Sequence, residues 1–575
     1  MTIFRNGSRL GAALVLSALA LAGAPPSTAR AAGAPVQQGL PPGSATGSYL
    51  AGRYAQHLDD WSAAALYTSR ALAADPADLS LLRRTFLLKV GEGQMDAALG
   101  LGQRLMDLDS DPQMAIALIA ADHLAAGRLG EAEALAARMP ADGIGRFLGP
   151  LMKGWLAAAR GQTDRALETL QPLSTLNGFN ALYNLHAALI LDLAGRNEAA
   201  AERYAAVTEN QAPLRVVQIV GNFLERTGRP DEARRLYETF QSSNPDSLLI
   251  EPALKAVSGG KPPARSVTDA RHGMAEALFD LGSALHHEGA EETALLFDRI
   301  ALHLHDDLPL TRLMIGDIMQ ARDHYQEALA EYQRLAASPV LGWMVRMRIA
   351  DCLSRLDRSD EAVATLKALV AERPERTDAA IRLGDLYRYA KRYAEAAEAY
   401  SGALSQMGPP QERHWPVLYA RALAFEKTDR WPLAEADLKA ALALKPNEAT
   451  LLNYLGYSWI DRGLNLDKAK AMVEQAVDLK PRDGYIVDSL GWALFSLGDF
   501  EGAVTKLERA VELKPVDPTI NDHLGDAYWR VGRRNEARFQ WARALRNADE
   551  DTQKDMIQAK LDKGLPERQA AAVKP

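Results

Sequence analysis

Asn453-Tyr454-Leu455-Gly456-Tyr457, Asp488-Ser489-Leu490-Gly491-Trp492 and Asp522-His523-Leu524-Gly525-Asp526 are three passes of one pattern, evenly spaced along the chain. Each glycine is followed twelve or thirteen positions later by an alanine, Ala469, Ala503 and Ala537. Working upstream, the same small-residue/alanine pair recurs as Ala422/Ala434, Gly384/Ala396, Ala350/Ala362, Gly316/Ala328 and Gly282/Ala294. Further back come Gly221/Ala233, Ala187/Ala199, Gly154/Ala166, Ala120/Ala132, Phe86/Ala98 and Gly52/Ala64. Phe86 is the one member of the first column that is not small.

A period of about 34 residues predicts a chain of helical hairpins. One hairpin of that length cannot bury enough apolar surface alone, and it gains a core by stacking on its neighbours. Two helices that cross closely need small side chains where their backbones meet, with larger residues such as Leu490, Leu494 and Leu507 around them. Pro515 then ends the second helix, and Pro76, Pro245, Pro374, Pro446 and Pro481 stand at the matching place in other units. The expected fold is all-α, a solenoid superhelix of about 14 hairpins.

The step from Gly221 to Gly282 is nearly two periods instead of one, and its excess holds Ser258-Gly259-Gly260-Lys261-Pro262-Pro263. This predicts a linker over 248–274 between an array of about six hairpins (45–247) and one of about eight (275–548). Residues 549–575 are expected to form a capping helix, over 551–563, and a tail. At the other end, Arg5 and Arg9 precede the apolar run Leu10 to Ala24 and the triplet Ala29-Arg30-Ala31. Residues 1–31 therefore read as a cleavable secretory signal and 32–44 as a flexible leader. The apolar run is too short to span a bilayer, so the expectation is a periplasmic chain with no transmembrane segment once the signal is removed.

Composition narrows the function. Net charge is −8, and −11 once the signal is removed, because 1–31 holds Arg5, Arg9 and Arg30 but no acid. That balance argues against a nucleic-acid partner. A single cysteine, Cys352, excludes an intrachain disulfide, and no cysteine follows the apolar run, so lipidation there is excluded. The sequence contains no HExxH, GxSxG or GxxxxGK[ST] motif. His286, His287, His303 and His305, with Asp306 and Asp307, make a metal site conceivable, hence a metal-dependent hydrolase as a remote alternative. The plainer reading is a polar turn region. No enzyme, cofactor or metal is expected.

Leu490-Gly491, Ala503, Leu507, Ala510 and Pro515 fall where the tetratricopeptide repeat (TPR) family places its consensus residues. The chain resembles that family over about residues 45–548. The resemblance implies a surface that holds a peptide or protein, not a catalyst. The three C-terminal passes, with Trp459 and Trp529, further resemble a group of bacterial envelope TPR proteins. One member type in that group is a lipoprotein adaptor for a carboxyl-terminal processing protease acting on cell-wall hydrolases. Those partners are implied by resemblance alone, and this chain lacks the lipidation cysteine. The alternative is an assembly scaffold for an exopolysaccharide or outer-membrane export machine.

Helical periodicity assigns positions 2, 5, 9, 12 and 13 of each unit, counted so that Gly491 is the eighth, to the inner face of the first helix. The expected protein-binding groove is Asn453, Tyr457, Tyr485, Asp488, Trp492, Asp522, Asp526 and Trp529. Rigid aromatics bordered by fixed polar groups suit peptide capture. The competing reading packs these rings on the adjacent helix and leaves the acids solvated. TPRs that clamp a terminal carboxylate present Lys, Arg and Asn here, so the three aspartates disfavour a free C-terminus as ligand.

Overall fold

The computed structural model describes residues 44–209, 211–245, 247–257, 262–548 and 551–566, and these are helical throughout, with no strand. The expected signal, the leader up to residue 43 and the glycine pair of the expected linker lie outside them. None of the described helices is long and apolar enough to cross a membrane. The chain forms two compact units that divide between Arg358 and Ser359.

The first unit opens with six hairpins: α1 (Ala45–His57) and α2 (Trp61–Ala74), α3 (Leu79–Gly91) and α4 (Met95–Leu108), α5 (Gln113–Ala125) and α6 (Leu129–Ala137), α7 (Gly145–Ala159) and α8 (Thr163–Ser174), α9 (Asn180–Leu193) and α10 (Asn197–Thr208), α11 (Leu214–Arg226) and α12 (Pro230–Ser243). A short α13 (Glu251–Val257) follows, then α14 (Ala270–His287) with α15 (Glu291–Leu304), α16 (Pro309–Ala321) with α17 (Tyr325–Gln333), and α18 (Gly342–Arg355). The second unit holds α19 (Ser359–Glu372), α20 (Thr377–Tyr389) and α21 (Tyr393–Gln406), α22 (Trp415–Glu426) and α23 (Trp431–Leu444), α24 (Ala449–Asp461) and α25 (Leu466–Leu479), α26 (Gly484–Leu497) and α27 (Phe500–Leu513), α28 (Pro518–Arg530) and α29 (Arg534–Asn547), and α30 (Asp551–Lys563).

Local chemistry sets these boundaries. Aspartates such as Asp60, Asp78, Asp483, Asp499 and Asp517 accept hydrogen bonds from the first-turn amides of the helices they precede. The turn inside each hairpin closes on a left-handed residue at position 15: a glycine at Gly93, Gly127, Gly161, Gly195, Gly228, Gly289, Gly463, Gly498 and Gly532, and Asp59, Asp323, Asp357, Lys391 or Asp429 elsewhere. Glycine adopts this conformation without the steric cost that a Cβ brings.

The helix-B alanines picked out by the repeat are fully buried, except Ala199. In the fifth hairpin the pair is instead Ala188/Ala200, one residue later, both at 0% exposure. Gly195 then falls at position 15 like its counterparts, so the expected Ala187/Ala199 register is corrected by one.

The small residue at position 8 turns out to accommodate the side chain at position 24, sixteen residues on. A Cβ on Gly221, Gly316, Gly384 or Gly525 would lie 2.2, 2.4, 2.6 and 2.4 Å from Tyr237, Tyr332, Tyr400 and Trp541. The apparent exception obeys the same volume rule in reverse: Phe86 sits at position 8, and position 24 is Gly102, whose Cβ would meet the Phe86 ring at 3.3 Å. A large residue on one helix requires a small one on the other, because the crossing is close-packed.

The first unit does not run as an open stack. Helix α14 packs on α5, α7 and α9, and α15 packs on α3 and α5, all of them first helices of their hairpins. The 248–274 segment therefore does not separate two arrays: the helices after it return onto the ones before it, and the chain divides well downstream, at 358/359. Gly273 makes the approach possible, since a Cβ there would lie 2.1 Å from the Trp155 ring.

Candidate functional site

Position 9, next to the small residue, decides what the inner helices of the second unit offer. Where position 24 is Tyr or Trp, its buried polar tip needs a partner. Position 9 supplies an aspartate: Tyr400 Oη donates to Asp385 at 2.7 Å, and Trp541 Nε1 donates to Asp526 at 2.9 Å. The same pairing occurs in the first unit, where Tyr332 Oη donates to Asp317 at 2.7 Å. Where position 24 is aliphatic, Val473 or Leu507, no such acid is needed, and position 9 is Tyr457 or Trp492.

The expected groove residues separate accordingly. Asp526 is buried, tied to Trp541 and to Lys560, whose Nζ donates to it at 2.8 Å and to Asp522 at 2.7 and 2.8 Å. Burial pulls the Lys560 ammonium down, but the Asp526 and Asp522 carboxylates outweigh it and hold the pKa above the usual lysine value. Trp529 packs on Gly564, Gln553 Nε2 donates to Thr519, and Arg530 donates to the Pro566 carbonyl. All five inner-face positions of α28 are thus touched by α30 and the residues after it, although Thr519 stays exposed. Asp522, Asp526 and Trp529 belong to this cap and not to an open groove, which corrects the expectation for those three. Solenoid ends must cover their last hairpin, and a helix laid where the next repeat would stand does so.

Asp488 is also engaged. It is buried and faces His523 Nδ1 at 3.0 Å, while Trp492 stacks on the His523 ring with centroids 4.1 Å apart and on Phe495 at 4.9 Å. Burial disfavours the imidazolium, yet the Asp488 carboxylate prevails and the His523 pKa stands above that of a free histidine. One side of the Trp492 ring thus packs on the adjacent helix, as the competing reading has it, whereas Asp488 is buried and paired instead of solvated.

Asn453, Tyr457, Trp492 and Tyr485 keep surface available. The first three are half-buried, and Tyr485 is 53% exposed with the Lys514 ammonium 5.0 Å from its ring centre. Asn453 Oδ1 is buried without a hydrogen-bond partner among the described residues. Burial, with Asp461 and Asp488 nearby, pushes the Tyr457 phenol up to about 12, so it stays a neutral donor. Tyr419 of α22 and Tyr454 of α24 meet edge to face at 5.4 Å, and Tyr454 donates to Glu426, which also pairs with Arg462 at 2.9 Å. Tyr389 is 81% exposed. The inner helices α20 to α26 therefore present tyrosines, an asparagine and carboxylates, which can hydrogen-bond backbone and pack apolar side chains.

In the first unit, the corresponding faces are taken. Trp155, fully buried on α7, donates Nε1–H to His186 Nδ1 at 3.2 Å, which leaves His186 Nε2 facing Asp280 of α14 at 3.2 Å. Arg215 forks onto Glu276, where burial raises the carboxyl pKa but Arg215 and His272 bring it down to about 2. Arg299 reaches the Gly91 carbonyl at 3.1 Å, and Arg322 clamps Asp59 at 2.5 and 2.8 Å while lying over Trp61. The four histidines grouped by sequence go separate ways: His303 faces Asp122 at 3.2 Å, His305 stacks on His272, and His286 and His287 lie 6.5 Å apart. Among the described residues there is no group of three or more His, Cys, Asp or Glu side chains able to hold a metal.

Two family models match the chain, one for a tetratricopeptide repeat over residues 348–412 and one for a TPR repeat over 491–532. A TPR repeat-containing protein of Pseudomonas aeruginosa is 28% identical over 204 residues, covering 33% of this chain. The chain spans 31% of that relative's length. Among solved structures, it is similar to a tetratricopeptide repeat protein from Parabacteroides merdae, at 14% identity and a TM-score of 0.37, covering 44% of this chain and 97% of that one. It is also similar to YrrB, a TPR protein with an unusual peptide-binding site, at 20% identity and a TM-score of 0.26, covering 33% and 92%. Residues 348–412 and 491–532 are tetratricopeptide repeats, and the chain carries them within a longer run of hairpins built to the same register.

Proposed function

We propose that this protein is an exported scaffold of the bacterial cell envelope that holds a peptide or protein segment along the inner helices of its second unit. The observation that carries the reading is the row formed by Asn453, Tyr457, Trp492 and Tyr485. Their side chains keep surface open, most of all Tyr485 at 53% exposure, and so offer rings to pack on and polar groups to hydrogen-bond. The N-terminal sequence, with Arg5, Arg9 and the apolar run ending near Ala24, supports export to the periplasm. The resemblance of the C-terminal repeats supports an adaptor role, bringing cell-wall hydrolases to a carboxyl-terminal processing protease.

Crosslinking in the periplasm followed by mass spectrometry tests this. Photo-crosslinkers at Tyr457 and Tyr485 should capture a processing protease or a wall hydrolase, and Tyr457→Ala with Asn453→Ala should abolish capture in a protein that melts like wild type. Unchanged capture in that variant refutes the proposed face. Capture of a polysaccharide synthase or a secretin favours the export-machine alternative.

A further inference from the structure

Between Arg530 and Arg546 the chain places six arginines and one acid, Glu536, although the whole protein is net negative. Three of the six are engaged: Arg530 donates to the Pro566 carbonyl, Arg533 pairs with Glu508 and Glu536, and Arg534 lies over the Trp529 ring. Arg538, Arg543 and Arg546 have no ion pair among the described residues.

The buried side of α29 is fixed by Ala537, Trp541 and Ala544, each at 0% exposure. Helical geometry then puts Arg538, Phe539, Ala542 and Arg546 together on the opposite side. Arg538, Ala542 and Arg546 are exposed, and Phe539, 63% exposed, stands beside that row. Exposed arginines beside an exposed aromatic ring are residue types enriched in protein interfaces. This face lies on the outer side of the last hairpin, away from the inner-face row of Asn453 and Tyr457.

We infer that the outward face of α29 is a second docking surface, and that it takes an acidic peptide segment. Charge complementarity selects an anionic partner, since arginine forks match carboxylates bidentately. The extent selects a narrow one: Arg538 to Arg546 spans about 12 Å of helix, which corresponds to two turns of a partner helix or about four residues of extended chain. In sequence, acids stand on both sides of these arginines: Glu536 before them, and Asp551, with its side chain 97% exposed, five residues after Arg546. A flat anionic membrane would be brought against these acids, whereas a peptide whose two carboxylates match the arginine spacing, with an apolar residue between them, meets only the arginines and Phe539.

The test uses the full chain and fluorescence anisotropy with a fluorescein-labelled, alanine-based 16-residue peptide bearing glutamates at i and i+8 and leucine at i+4. Its lysine counterpart is the control, and sedimentation with vesicles of phosphatidylglycerol and phosphatidylcholine is run alongside. The glutamate peptide should bind, the lysine peptide should not, and raising salt from 50 to 300 mM should weaken binding. Arg538→Glu with Arg546→Glu should lower affinity at least tenfold, and Phe539→Ser several-fold, in proteins with unchanged melting. Asn453→Ala with Tyr457→Ala should leave this binding as it is, which separates it from the inner-face proposal. Absence of glutamate-peptide binding, equal binding by the charge-reversed variant, or sedimentation with vesicles in place of peptide binding overturns the inference.

Discussion

Replacing Gly525 by alanine puts the close crossing of α28 and α29 to a test in which the sign alone is decisive. At an open helical site, Gly→Ala stabilises by about 1 kcal/mol. At Gly525 the new Cβ would lie 2.4 Å from Trp541 Cδ1 and 2.5 Å from Nε1, in a ring that is fully buried. Overpacking of this kind costs about 1–3 kcal/mol. Displacing the indole also strains its 2.9 Å hydrogen bond to Asp526, a contribution of about 1 kcal/mol. Set against the helix gain, the net loss is about 1–3 kcal/mol, or a 5- to 150-fold change in an opening equilibrium. Native-state hydrogen exchange on α28 and α29 reads this directly, because local opening governs their amides. Trp541→Ala supplies the second leg of a double-mutant cycle, since alanine at both positions already occurs at Ala120 and Ala136. The double variant should lose less than the sum of the single losses. Slower exchange in Gly525→Ala, or strict additivity in the cycle, would refute the volume rule.

Lys391 occupies the left-handed turn position that is glycine in nine other hairpins, at φ 58°, so Lys391→Gly should raise stability by about 1 kcal/mol in a denaturant titration. Asp298 is fully buried at position 24, with neither carboxylate oxygen hydrogen-bonded among the described residues, and burial holds its pKa well above the carboxylate range. Its folded-state pKa is raised, so its ionisation destabilises the fold as pH rises through that value, and Asp298→Leu should stabilise by about 1–3 kcal/mol at neutral pH. Glu276 is the opposite case, lowered to about 2 by Arg215 and His272 against the effect of its burial. It contributes at most about 3 kcal/mol, fully present above pH 4.5 and lost as pH falls toward 2. Acid melts of wild type and Glu276→Gln should therefore converge over that window.

The hairpin register is written in the sequence because close crossings accept few residue sizes, and the column of small residues and alanines records them. It slips by one in the fifth hairpin, where Ala187-Ala188 and Ala199-Ala200-Ala201 leave the phase open. The left-handed turn glycine, Gly195, carries the missing information. The inner-face row was less legible, because periodicity says which side a residue occupies and not what meets it there. Trp541, sixteen residues after Gly525, is a signal for the structural role of Asp526, since an acid at position 9 partners Tyr or Trp at position 24 in three of the five hairpins that have one, Tyr204 and Tyr237 being the exceptions. Nothing in the local pattern announces that α14 and α15 return to α3–α9, since contacts such as Arg299 with Gly91 join residues 208 apart.

That return gives the same hairpin two different uses. An inner face exposed to solvent can tolerate polar and aromatic side chains in any order, but one covered by its own chain must pair every charge it buries. The first unit shows the second condition: Trp155 at 0% exposure, Arg215 on Glu276, and Asp59 clamped by Arg322. The second unit shows the first condition as far as α26, with Tyr389 and Tyr485 open to solvent, and returns to the covered condition only at α28, under α30. Substitutions on the inner helices should therefore divide by unit. Those on α5, α7 and α9 should change stability, and those at Asn453, Tyr457 and Tyr485 should change capture of a partner while leaving the melt alone. A single set of alanine variants measured both ways separates the two, because a scaffold that bound through its first unit would give the reverse assignment.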